Sequence, residues 1–204
     1  GASPNLNSGT IHFKYGASGA NDYNVISGCD IGASKTTTLP ANAVYAHGSA
    51  APENSYNEIL NNNIYDFFNA GSSCNGIYLR GLNTHWTISG NKLFQRAARQ
   101  FAVTPNSVYT GIKVEGDAGT PGENFIISGN IIGFSSSASG GLTTIGGADA
   151  GGLLNKIRGI DIINTGLITP SSIQGNTIGG FAHTSNYNNP FKAEAAFIGI
   201  TAGH

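Results

Sequence analysis

One short pattern recurs along this chain and narrows what it can fold into. Residues 88–93 (Ile-Ser-Gly-Asn-Lys-Leu), 127–132 (Ile-Ser-Gly-Asn-Ile-Ile) and 173–178 (Ile-Gln-Gly-Asn-Thr-Ile) share one form. Residues 26–31 and 59–64 are looser copies, with Cys29 in the asparagine slot of the first and Asn61 in the glycine slot of the second. The apolar residues that bound each copy stand an odd number of positions apart, so a straight strand would turn them to opposite faces. A bend at Gly28, Gly90, Gly129 and Gly175 returns both to one side, and glycine takes the positive φ of such a bend without steric cost. Asn62, Asn91, Asn130 and Asn176 follow the bend. Their amides are suited to bonding the turn backbone and to stacking on one another between copies.

A shorter motif alternates with the first: residues 76–79 (Gly-Ile-Tyr-Leu), 111–114 (Gly-Ile-Lys-Val) and 159–162 (Gly-Ile-Asp-Ile). With the short motif called strand A and the long one strand B, strand A shows a period of two. Its first inward residue is Ile11, Val44, Ile77, Ile112, Ile160 and Ile200, and its second is Phe13, Ala46, Leu79, Val114, Ile162 and Ala202. Gly48, Gly81, Gly116 and Asn164 close the copies, while Gly16 and Gly203 stand one position off. The interval from A to B is nearly constant and the return to the next A varies, so insertions collect on one side. Among those returns, residues 94–101 read as a short helix, and residues 135–141 and 146–152 as mobile loop.

Several short strands in each repeat cannot be joined by hairpins. Stacking them in parallel buries a continuous core and pairs every backbone with the repeats above and below. The Ile-x-Gly-Asn-x-Ile and Gly-Ile-x-Leu/Val/Ile motifs resemble those of the right-handed parallel β-helix superfamily, which includes pectate-lyase-like enzymes, phage tailspikes and long bacterial surface proteins. The resemblance runs from about residue 10 to the end. It implies an all-β chain, a right-handed parallel β-helix of about five to six rungs with variable loops on one side. A left-handed hexapeptide helix needs a strict six-residue period, which is absent. Residues 1–204 read as a single segment, and residues 199–204 fall inside another copy of the short motif. The expectation is a piece of a longer repeat array.

Composition excludes some functions. Only 10% of residues are charged and the net charge is −1, so no basic field exists to hold nucleic acid or a membrane surface. No apolar run approaches the roughly 20 residues of a membrane span. Cys29 and Cys74 allow one disulfide but fall in different rungs, and Cys29 is expected to point inward like the asparagines it replaces.

Candidate chemistry gathers on the outward side of strand A. One row is His12, Tyr45, Tyr78, Lys113, Asp161 and Thr201, and the other is Lys14, His47, Arg80, Glu115 and Ile163. Tyr45 and Tyr78, stacked beside His47, Arg80 and Lys113, suit a sugar, with Glu115 and Asp161 completing a ligand-binding set. The plainer reading is a solvated face on which Arg80 and Glu115 neutralise each other. Trp86 falls outward or in the corner between A and B, where packing is the favoured role and a sugar platform the alternative. The resemblance also implies an enzymatic version, a polysaccharide lyase, in which Arg80 or Lys113 would be the base and His47 or Lys14 would help. Glu115 and Asp161 would hold Lys113 charged, which opposes that role. The same two carboxylates also make a hydrolytic pair conceivable. Glu115, Asp117 and Glu123 make a weak Ca²⁺ set, and an ordinary acidic turn is the alternative. Histidines 12, 47, 85, 183 and 204 show no zinc spacing. The sequence therefore favours a structural or adhesive segment of a large secreted or cell-surface protein that takes a polysaccharide or surface glycan as partner. A lyase or related glycan-active enzyme is the alternative, and no cofactor is required.

Overall fold

The computed structural model describes residues 6–14, 19–33, 38–48, 53–102, 107–117, 122–147, 155–163, 169–184 and 196–203. Gly16, residues 148–152, Asn164 and His204, all used in the sequence reading, lie outside them. Among the described residues there are strands and no helix, and every strand pairing is parallel.

Three ladders run through the chain. Sheet A joins Ile11–Lys14, Asn42–His47, Cys74–Arg80, Val108–Glu115, Lys156–Ile163 and Phe197–Gly203 in that order. Sheet B joins Val25–Ser27, Glu58–Leu60, Thr87–Ser89, Ile126–Ser128 and Ser172–Gln174. Sheet C joins Asp30–Gly32, Asn63–Tyr65, Lys92–Phe94, Ile131–Gly133 and Thr177–Gly179. The long motif is thus two strands separated by its bend, where Gly28, Gly90, Gly129 and Gly175 have φ of 65°, 68°, 62° and 64°. Asn61 fills the same slot at 55°, a conformation asparagine tolerates better than most residues.

The spacing of the repeats fixes the register. Ile11, Val44, Ile77, Ile112, Ile160 and Ile200 are successive partners in sheet A. Ile26, Ile59, Ile88, Ile127 and Ile173 form the equivalent line in sheet B. Ile31, Ile64, Leu93, Ile132 and Ile178 form it in sheet C. The middle members of all three lines are buried in one apolar cluster, each fully buried isoleucine contributing about 1.5–3 kcal/mol. The recurring glycine of the short motif has a packing cause: a Cβ on Gly111 would lie 2.5 Å from Ile132 Cγ2 and 2.7 Å from the Gly159 carbonyl oxygen. Sheet A meets sheet C at that glycine column with no room for a side chain.

The asparagines form a polar line beside the apolar ones. Asn91 Nδ2 donates to the Ile59 carbonyl (2.7 Å) and to Asn130 Oδ1 (3.0 Å), while its Oδ1 accepts from Asn62 N (3.0 Å) and Nδ2 (2.9 Å). Asn130 and Asn176 repeat the pattern one repeat further on. Each amide therefore satisfies backbone of the preceding repeat. Cys29 departs from the sequence expectation: it is exposed, not inward, and both cysteines are free. It lies in the bend between the edge strands Val25–Ser27 and Asp30–Gly32, where its N–H reaches Asn62 Oδ1 (2.9 Å) and no described strand lies beneath it to need an amide.

Trp86 takes the corner position and the packing role: it is fully buried, its ring edge-on to Phe13 and its Nε1 donating to the Asn54 carbonyl (3.0 Å). Two further sequence expectations change. Residues 94–101 are not helical. Asp66 accepts from Arg96 N (3.1 Å) and Arg99 Nη2 (2.7 Å), and Gln95 Nε2 reaches the Phe67 carbonyl, which pins the segment to the preceding repeat in extended form. Its strand Arg99–Phe101 pairs with Thr143–Gly147, which pairs with Phe181–Thr184. Residues 135–141 are a bonded turn and not a loose loop: Ser135 N and Oγ both donate to the Gly140 carbonyl (3.0 Å each).

Candidate functional site

The outward rows of sheet A pair as the sequence spacing requires. His12, Tyr45, Tyr78, Lys113, Asp161 and Thr201 form one, and Lys14, His47, Arg80, Glu115 and Ile163 the other. Neighbours within a row stand about 4.8 Å apart. The stretch before the first strand adds something the sequence did not announce. Asn42 Nδ2 donates to the Leu6 and Ser8 carbonyls (3.0 and 2.9 Å), and Arg80 Nη1 donates to Asn7 Oδ1 (3.0 Å). Leu6 and Asn7 are thereby held against the face, and two clefts lie beside them.

The first cleft, about 280 Å³, is lined by Leu6, Asn7, Asn75, Tyr78, Lys113 and Asp161, and also by Ser73, Val108 and Thr110. The second, about 250 Å³, is lined by Asn7, His12, Lys14, Tyr45, His47 and Arg80. Every residue of the proposed ligand set except Glu115 lines one of them. Leu6, Asn7, Asn75 and Thr110 were missed by the sequence reading. The latter two precede the glycine column, and the shift of face at that column hides them from a simple alternation.

The tyrosines do not form an exposed stacking platform. Tyr45 is 1% exposed, and its ring meets that of Tyr78 edge-on at 5.5 Å and 68°. The Tyr78 ring carries Lys113 Nζ 4.8 Å from its centre. Arg80 and Glu115 are register partners and attract each other, but the direct contacts of Glu115 are with other groups. Glu115 Oε2 accepts from the Tyr78 hydroxyl and pairs with Lys113 Nζ, both at 2.6 Å. Burial raises the Glu115 pKa, but the bonds from Lys113 and Tyr78 outweigh it and leave the carboxyl below its usual range. Burial pushes the Tyr78 hydroxyl up, and its bond to Glu115 adds to that. Asp161 is raised by burial, with Lys113 and Arg158 opposing. His12 and His47 both lie below the ordinary histidine value. Burial is the main cause for each, with Lys14 and then His47 acting on His12, and Arg80 on His47 against an opposing Asp117.

The calcium candidates do not converge. Glu115 is engaged as above, the Asp117 carboxylate lies over Gly81, and Glu123 Oε2 accepts from Thr169 N (3.0 Å). Among the described residues no three His, Cys, Asp or Glu side chains gather as a metal set.

Compared with protein-family models, with curated proteins and with solved structures, the chain matches none.

Proposed function

We propose that the chain coils as a right-handed parallel β-helix of five to six rungs, a structural or adhesive segment of a large secreted or cell-surface protein, and that the outer face of sheet A binds a glycan. The observation that carries this reading is the pair of clefts sharing Asn7 on one ladder face. They bring Lys14, Arg80 and Lys113 together with Asp161, Asn75 and Thr110. Amides, hydroxyls and a carboxylate suit sugar hydroxyls, and the cations suit a carboxylate or sulfate. With Tyr45 buried and the Tyr78 ring covered, recognition rests on hydrogen bonds and charge, not on ring stacking. Parallel strands paired through six repeats make a stiff support for such a face.

One observation favours the lyase alternative. Lys113 is engaged in an ion pair with Glu115, but burial and Arg80 lower the His47 pKa, so His47 can accept a proton while Arg80 and Lys14 neutralise a uronate. A glycan-array screen separates the readings, with double-bond absorbance at about 235 nm followed on any uronate-containing ligand. Binding lost in Arg80→Ala without new absorbance supports the adhesive face. New absorbance abolished in His47→Ala supports a lyase. Absence of binding to every glycan would remove the ligand function and leave a structural segment.

A further inference from the structure

A third cleft, of about 260 Å³, lies on the outer side of sheet C, on residues that no part of the preceding reading uses. Asp30, Asn63, Tyr65, Phe94, Arg96 and Ser137 line it. Tyr65 and Phe94 are register partners one repeat apart, their rings stacked at 5.4 Å and 25°. Tyr65 cannot swing down, because its ring already lies against Gly32, where a Cβ would come within 2.3 Å of it. The cleft thus has a fixed aromatic wall.

Its charge is fixed as well. Arg96 Nε and Nη2 bind Asp66 Oδ2 at 2.7 and 2.6 Å, and the guanidinium carbon sits 4.3 Å from the Tyr65 ring centre. Asp66 also holds Arg99, so one carboxylate serves two guanidiniums and that cluster carries one net positive charge, which the Asp30 carboxylate in the same cleft offsets in the overall sum. The Arg96 side chain is 51% exposed and that of Arg99 is 10%, so the surplus is presented at the cleft. A half-exposed guanidinium aimed by a carboxylate that is 4% exposed is oriented before any ligand arrives. Asp30, also lining the cleft, is exposed and accepts from Asn63 Nδ2 (2.8 Å) through Oδ1. A carboxylate beside an amide suits a pair of neighbouring hydroxyls. The serine turn is folded by its own bonds to Gly140, which sets Ser137 at the cleft.

The geometry points to a second ligand site, for a single sugar unit bearing one negative charge. The anionic group meets Arg96 and Ser137, two hydroxyls meet Asp30 and Asn63, and the sugar ring borders the edge of Tyr65, whose faces Arg96, Phe94 and Gly32 already cover. The site is independent of sheet A and shares no residue with either cleft there.

The test is a two-dimensional NMR titration of the whole chain with D-glucuronate, using D-glucose and acetate as comparisons. Glucuronate should shift the Tyr65 ring and Arg96 Nε–H signals. Glucose, which lacks the charge, and acetate, which lacks the hydroxyls, should each bind at least about tenfold more weakly. Asp30→Asn, on an exposed edge strand, should weaken glucuronate by about fivefold or more with an unchanged native spectrum, and Arg96→Lys should do the same because lysine cannot keep the planar fork. Shifts at Arg80 or Lys113 alone would support the sheet A site and overturn this one. Acetate binding as tightly as glucuronate, an unaltered affinity in Asp30→Asn, or no shift at Tyr65 with any probe would each overturn it as well.

Discussion

Replacing Asn91 with alanine removes a fully buried amide from the middle of the asparagine line. Two backbone groups then lose their partner in the interior: the Asn62 N–H, which donated to Oδ1 at 3.0 Å, and the Ile59 carbonyl, which accepted from Nδ2 at 2.7 Å. An unsatisfied buried group costs about 1–3 kcal/mol, so the pair costs about 2–6 kcal/mol. At roughly 2–4 °C per kcal/mol for a chain of this size, the midpoint of thermal unfolding falls by roughly 4–24 °C. Cys29→Ala is the internal control, because the same slot at the edge is exposed and holds no amide, and its cost is under about 0.5 kcal/mol. Circular dichroism at a strand wavelength, with urea denaturation to check that m is unchanged, measures both. If Asn91→Ala comes within about 1 kcal/mol of Cys29→Ala, the amide line is decoration and the reasoning fails. Asn91→Asp refines the test, since it keeps an acceptor for Asn62 N–H but turns an oxygen toward the Ile59 carbonyl.

Other outcomes follow from the same structure. Gly111→Ala forces a methyl to within 2.5 Å of Ile132 Cγ2 and 2.7 Å of the Gly159 carbonyl oxygen, and it should cost about 1–3 kcal/mol in urea denaturation. Under native conditions a thiol reagent should label Cys29 alone. Cys74 is fully buried with its pKa pushed up to about 12, chiefly by burial, and should react only after denaturant is added. Because His12 and His47 have lowered folded-state pKa values, the unfolded chain binds protons more readily than the folded one. Their contribution is complete above about pH 6.5 and is lost as pH falls through the folded values; the double variant His12→Gln/His47→Gln should flatten that limb of a stability-against-pH curve.

The ladders were legible because their signal is periodic. Ile88, Ile127 and Ile173, or Ile77, Ile112 and Ile160, sit in repeats that align without gaps, and pairing followed alignment. The outward rows came with them, since a period of two fixes both faces at once. What failed depends on contacts between dissimilar segments. Nothing in Leu6 or Asn7 indicates that they would lie against sheet A or that Asn7 would hold Arg80. Arg99–Phe101 and Thr143–Gly147 pair without sharing a motif, so a helix was as good a reading of the first. Tyr65 and Phe94 were within reach, because each follows its ladder residue, Ile64 or Leu93, by one position and so faces outward on the next step of the same alternation. A further column gives little sequence signal: Tyr23, Tyr56, His85 and Asn124 have φ of 57°, 57°, 58° and 55° in successive repeats, a left-handed conformation that histidine and asparagine adopt more readily than tyrosine. There the repeated corner dictates the backbone and the residue type follows no rule.

The asparagine line points one way. Each amide reaches back to the repeat before it and gives its oxygen to the amide behind, as Asn91 does for Asn62 and Asn130 for Asn91. A repeat is therefore finished only by its successor. During synthesis, which delivers the N-terminal side first, closure advances like a zip running one tooth behind the emerging chain. An interruption would leave a single unsealed repeat at the growing front and sealed ones behind it. Removing repeats from the two sides would then have unequal consequences, because a cut on the C-terminal side of Asn62 strips it of its acceptor, while a cut on the N-terminal side leaves that bond in place.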